Sequence, residues 1–110
     1  MKLIKGDIVT IQFPFTDGKV YKLRPAMVLL ETSFTKSNDV LLMMITSKQK
    51  KDALNIRLNS DDLTKPLPLE SYARIHKIFL LNESLIQSKI SRLKKPAYDF
   101  ISKRLCEIIN

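Results

Sequence analysis

The chain opens on a strict alternation. Val9, Ile11 and Phe13 fall on one face of an extended segment, and Thr10 and Gln12 on the other, which predicts a first strand over Asp7–Phe13. Two later runs, Ala26–Leu30 and Val40–Ile45, are apolar throughout. They predict strands over Ala26–Glu31 and Val40–Thr46 that are covered on both faces. Alternation returns at Leu54–Leu58, where Asn55 and Arg57 separate Leu54, Ile56 and Leu58. A fifth strand is expected over Ser71–Lys77, and Ile78–Leu81 can continue it after a bend. The connections read as loops: Pro14–Leu23, with its Asp17-Gly18 turn, then Thr32–Asn38, Ser47–Asp52 and a turn-rich stretch through Pro66 and Pro68.

The last third changes period. Asn82 suits the cap of one helical turn over Glu83–Gln87. Ser88–Leu93 fits strand and helix equally. Ala97, Phe100, Ile101, Leu105 and Ile108 recur at helical spacing, which predicts a helix over Pro96–Ile109 with Pro96 in its first turn. The fold class is therefore mainly β with a C-terminal helix. Five or six short strands closed by one helix suggest a compact barrel. The 110 residues fit a single domain, 1–110.

Charge changes the picture more than length does. Nineteen Lys and Arg face eleven Asp and Glu, giving +8 and a pI near 9.8. Such a surplus favours polyanions, whether nucleic acid, an acidic peptide or an anionic membrane, although a lysine-rich but otherwise ordinary surface has the same sign. The single cysteine, Cys106, excludes an internal disulfide and reads as a packing residue of the last helix. Cys and His are too few for a thiolate or imidazole metal site, so no metal and no cofactor are expected. No apolar run approaches the ~20 residues that span a bilayer. Met1–Gly6 has no apolar signal segment. A cytoplasmic protein without a membrane partner is the expectation.

The residues also restrict the chemistry. His76 is the only histidine, so a two-histidine acid–base pair is excluded. There is no G-x-S-x-G, no phosphate-binding P-loop and no G-x-G-x-x-G. An enzyme acting on phosphate would have to rely on Arg, Thr, Ser and backbone donors. Arg24 suits this, because a guanidinium grips phosphate oxygens in a bidentate fork and Pro25 biases it towards extended backbone at the mouth of the second strand. Thr46 closes an apolar strand and offers a hydroxyl, and Ser47 adds another. Each has a plainer alternative: Arg24 as a surface residue at a loop edge, Thr46 as a strand-end residue bonded to its own turn.

Several spaced elements occur here in one order: Gly6-Asp7-Ile8-Val9, then Phe13-Pro14-Phe15-Thr16-Asp17, then Arg24-Pro25-Ala26-Met27-Val28-Leu29, then Ile45-Thr46-Ser47. Together they resemble the MazF/PemK toxin family of type II toxin–antitoxin systems. The resemblance covers most of the chain and is most specific in its N-terminal half. It implies a small SH3-like β-barrel of the PemK/CcdB kind, usually a homodimer. It further implies a metal-independent, sequence-selective endoribonuclease that cleaves single-stranded RNA, commonly mRNA, and a cognate antitoxin whose disordered tail lies in the RNA groove. The implied reaction is attack of the ribose 2′-OH on the adjacent phosphorus, giving a 2′,3′-cyclic phosphate and a 5′-OH. The family's catalytic roles carry over to Arg24 and Thr46 only. Some members have an acid shortly before the Arg-Pro pair, where this chain has Lys19 and Lys22; many have Gln two residues after the Thr, where it has Lys48.

Candidate RNA-binding residues surround that pair. Ser47, Lys48, Lys50 and Lys51 form a basic rim directly after Thr46, or an ordinary solvated loop. Tyr72, Arg74 and His76 alternate onto one face of the fifth strand, where they can contact bases or simply face solvent. Phe15 can stack on a base or plug the barrel. Two other functions remain open: a non-catalytic RNA-binding barrel, and a gyrase-targeting toxin of the same fold.

Overall fold

The computed structural model of the protein describes residues 2–14 and 21–110. Its strands are β1 (Asp7–Pro14), β2 (Tyr21–Leu30), β3 (Asp39–Thr46), β4 (Asn55–Leu58), β5 (Ser71–Asn82) and β6 (Ile86–Arg92). Helix α1 (Thr32–Thr35) is a single turn, and α2 (Lys95–Ile109) ends the chain. The strands form one antiparallel sheet in the order β4-β5-β3-β2-β1-β6.

The alternation that defines a strand splits the apolar runs between two cores. Ile8, Met27, Met43, Ile45 and Ile75 point to one face, where Ile101 of α2 covers them. Their neighbours Val9, Val28, Leu42 and Val40 point to the other, with Ile11, Ala26 and Ile86. This is why the second and third runs show no polar positions. Each such side chain, fully buried, contributes about 1.5–3 kcal/mol. Among the described residues no helix is long and apolar enough to cross a membrane.

The sheet is open between β4 and β6, so the barrel takes the form of a curled sheet with a laced seam. Leu63, just past β4, bridges to Leu93, just past β6. The Thr64 N–H donates to Arg92 O at 2.9 Å, and the Lys94 N–H to Asp62 O at 2.7 Å. Ser91 Oγ donates to Lys65 O at 2.7 Å and accepts from the Lys65 N–H at 3.2 Å.

Several expectations need correcting. The second strand begins at Tyr21 rather than Ala26, so Arg24-Pro25 lies inside it, not at its mouth. Pro25 is tolerated there because it pairs with Thr10 of β1, while the β3 ladder begins only at Ala26–Met44. The undecided stretch Ser88–Leu93 is mostly β6. Its register against β1 shifts twice, which scrambles a period-two pattern. Residues 32–35 of an expected loop form α1, closed by Lys36 at φ 54°. The turn after Asn82 is a 3-10 turn, Glu83–Leu85, capped by the Asn82 side chain, and it gives way to β6 at Ile86. The fifth strand does continue through Ile78–Leu81. Between Met43 and Ile45 its partners jump from Ile78 to Ala73, which puts the bend at 74–77. In α2, Phe100, Cys106 and Ile108 face solvent; Ala97, Tyr98, Ile101 and Leu105 meet the core.

Gly6-Asp7 ties β1 to this seam. Gly6 has φ +90°, and a Cβ there would sit 3.1 Å from Leu93 O. Its N–H donates to Val28 O and its carbonyl accepts from Leu93. Asp7 is wholly buried. Its Oδ1 accepts from Arg92 Nε at 2.8 Å, and its Oδ2 from the Ile4 N–H at 2.9 Å and Lys89 Nζ at 3.2 Å. Burial pushes the Asp7 carboxyl up, but these donors outweigh it and hold the group below its ordinary 3.8. A lowered folded value adds stability that is complete above about pH 4 and is lost as pH falls through it. Asp7→Asn should cost about 2 kcal/mol at pH 7, below the ~3–5 kcal/mol of a fully buried pair because Lys89 and Arg92 reach water. Urea unfolding at pH 7 and pH 3 checks this: the wild type should lose more stability than Asp7→Asn between the two, and equal losses would refute it.

Candidate active site

Within β2 and β3, Ala26 lies opposite Met44 and Met27 opposite Met43. Carried two places further, the same register sets Arg24 opposite Thr46, and residues directly opposite share a face. The strands do not pair there. A cleft of about 320 Å³ opens at that end of the sheet. Arg24 and Pro25 line it from β2, Thr46 from the end of β3, and Ser47 and Lys48 from the loop that follows. Leu67, Pro68 and Leu69 line it from the β4–β5 connection, and Ile90 from β6.

The wall is cationic on one side and apolar on the other. Lys22, Arg24 and Lys48 contribute charge, and no Asp or Glu among the described residues lines the cleft. Arg24 makes no ion pair with another described residue. Leu23 and Leu69 stand largely exposed at the rim. Thr46 Oγ1 accepts the Lys48 N–H at 3.1 Å. That bond occupies a lone pair and leaves the hydroxyl proton to be donated elsewhere. Among the described residues there is no group of three His, Cys, Asp or Glu side chains that could hold a metal ion.

Of the sequence candidates, Arg24, Thr46, Ser47 and Lys48 come together around the cleft. Lys50 and Lys51 follow in the same exposed loop but do not line it. Phe15 lies outside the described residues. The face expected from Tyr72, Arg74 and His76 is not an open one. Tyr72 and Arg74 are buried and His76 alone is exposed. The reason is β4, whose Asn55 and Arg57 pair with Arg74 and Tyr72. Arg74 Nη1 donates to both oxygens of Asp52, at 3.0 and 3.1 Å. Some burial raises the Asp52 carboxyl, but Arg74 and the Leu54 N–H hold it below its usual value. Arg74 Nη2 lies 3.4 Å from His76 Nε2.

Sequence reasoning missed Lys22, Leu23 and the Leu67–Leu69 wall. The only signal for the last was the pair Pro66 and Pro68, which reads as a turn and says nothing of what the turn covers.

The sequence profile of the family described as PemK-like, MazF-like toxin of type II toxin–antitoxin system matches residues 4–109. The chain belongs to this family. No curated protein sequence matches it. Among solved structures it resembles a MazE–MazF structure from Deinococcus radiodurans at TM-score 0.77 and 16% identity, covering 96% of this chain and 94% of that one. It also resembles an endoribonuclease from a mycobacterial species in complex with its cognate antitoxin, at TM-score 0.76 and 13% identity, covering 98% and 95%. Mycobacterium tuberculosis toxin MazF-mt6 matches at TM-score 0.73 and 14% identity, covering 94% and 95%. At such identities the likeness establishes the MazF fold, and the cleft lies within it.

Proposed function

We propose that this MazF-like chain is a sequence-selective endoribonuclease that cuts single-stranded RNA without a metal ion. The observation that carries the reading is the meeting of Arg24 and Thr46 at one cationic cleft. Attack of a ribose 2′-OH on the adjacent phosphorus forms the new P–O bond as the 2′ proton leaves. The bond to the 5′ oxygen breaks, and that oxygen departs with a proton. The products are a 2′,3′-cyclic phosphate and a 5′-OH.

Negative charge gathers on the non-bridging oxygens in the transition state. Arg24 stabilises it as a fixed cation, and the Thr46 hydroxyl adds a short, preorganised donor. Arg24 serves as a phosphate clamp and charge stabiliser rather than as the base. Lys48, Lys50 and Lys51 meet the flanking phosphates, and Leu23 and Leu69 offer the bases an apolar surface. An antitoxin with a disordered tail would occupy the same cleft, and the chain would act as a homodimer. These two partners are supported by the family and by the antitoxin-bound structures of its fold. A gyrase-directed toxin or a passive RNA binder would not need Arg24 opposite Thr46, and no feature of the cleft favours either.

Purified protein should cut single-stranded RNA in EDTA. Arg24→Ala and Thr46→Val should each lower the rate by about 10²–10³ while thermal melting stays unchanged. A requirement for added Mg²⁺, or full activity in Arg24→Ala, would contradict the mechanism. Replacing Lys48, Lys50 and Lys51 with Ala should weaken RNA binding and reduce the slope of log K against log salt by about 0.7 for each phosphate no longer neutralised. An unchanged slope would make the loop an ordinary solvated one.

A further inference from the structure

We infer that Arg74 and Asp52 are positioning residues for the basic loop after Thr46, bracing it in the form that grips RNA. The inference rests on the ribonuclease reading and deepens it. It begins from a pair that stability does not explain. The Arg74 side chain is 8% exposed and Asp52 is 41% exposed, so a nearly buried cation meets a carboxylate on a surface loop. Among the described residues Arg74 Nε is buried without a partner, and so is Oδ1 of Asn55, which stands opposite Arg74 in the β4–β5 register. A buried guanidinium with an unmet donor costs free energy that an apolar side chain of similar size would not. The pair does, however, fix one thing: the position of Asp52.

Asp52 closes a chain of contacts that begins at the cleft. Lys48 donates its N–H to Thr46 Oγ1, and its carbonyl accepts from Asn55 Nδ2 at 3.4 Å. Asp52 Oδ1 accepts the Leu54 N–H at 3.0 Å, and both carboxylate oxygens accept from Arg74. The loop is thus held at Lys48 by both Thr46 and Asn55, and at Asp52 by Arg74. Arg74 is itself anchored, because Tyr72, two residues earlier, pairs with Thr46. The loop carries Lys48, Lys50 and Lys51, whose mutual repulsion favours spreading. Asp52 is its only acid, and Arg74 holds that acid to the core.

If the brace fails, fewer molecules present the lysines correctly. Apparent affinity then falls in proportion to the competent fraction. Asp52→Asn tests this, because it keeps the side-chain shape and lies at the surface. Kinetics on a single-stranded RNA oligonucleotide should show KM raised by about five- to tenfold, with kcat within about twofold of wild type. The effect of replacing Lys48, Lys50 and Lys51 with Ala should shrink in the Asp52→Asn background, as expected of residues that act together. Affinity for a 2′-O-methyl RNA, which has no attacking hydroxyl, should fall by the same factor as KM rises. Wild-type-like KM and affinity in Asp52→Asn, or a lost kcat with KM unchanged, would overturn the brace. If the wild type cuts no RNA, the ribonuclease reading fails by itself, and the 2′-O-methyl affinity still decides whether Asp52 positions the loop.

Discussion

A proline inside a central strand is the constraint on which the rest of the site depends. Pro25 lies in β2, flanked by β1 and β3, and has no N–H to give. The sheet accommodates it by starting the β2–β3 ladder one residue later, at Ala26–Met44. Beyond that point the two strands are neighbours without being bonded, and the space between them becomes the cleft. Arg24 and Thr46 face each other one position beyond the first unpaired pair, Pro25 and Ile45. A residue with an N–H at 25 could extend the ladder and narrow the opening. The proline thus sets both the backbone of Arg24 and the room in front of it.

That opening can exist only because the sheet is held firmly elsewhere. The apolar runs of β2 and β3 supply side chains to two cores at once, so these strands are fixed from both faces. The seam from Leu63 to Leu93 keeps the curled sheet from unrolling, and Gly6-Asp7 fastens β1 to it. The β4–β5 connection that follows the seam brings Leu67, Pro68 and Leu69 over the cleft as its apolar wall. Architecture and site are therefore one problem: the lacing that closes the fold also delivers the wall facing Arg24.

Much of this was legible in the sequence, and the failures have definite causes. The runs from Ala26 and Val40 announce doubly covered strands because burial on both faces removes polar positions. Arg24 and Thr46 could be paired through the resemblance of their surroundings to MazF/PemK toxins, and the register carries them to opposite positions. The sixth strand was hidden because two register shifts break its alternation. The start of β2 was misplaced because a proline ordinarily marks a strand boundary, and here it lies within one. Arg74 was misjudged because strict alternation predicts a face but not what covers it. Here β4 pairs along it and Asp52 takes up Arg74, and no periodicity announces either.

Arg24 and Thr46 are proposed to hold a phosphodiester for attack by the adjacent ribose 2′-OH. Mass spectrometry of the fragments formed from a defined single-stranded RNA in EDTA tests it most directly. The upstream fragment should end in a 2′,3′-cyclic phosphate and the downstream one should begin with a 5′-OH. Fragments ending in 3′-OH and 5′-phosphate would show that water attacked instead, and would contradict the proposal.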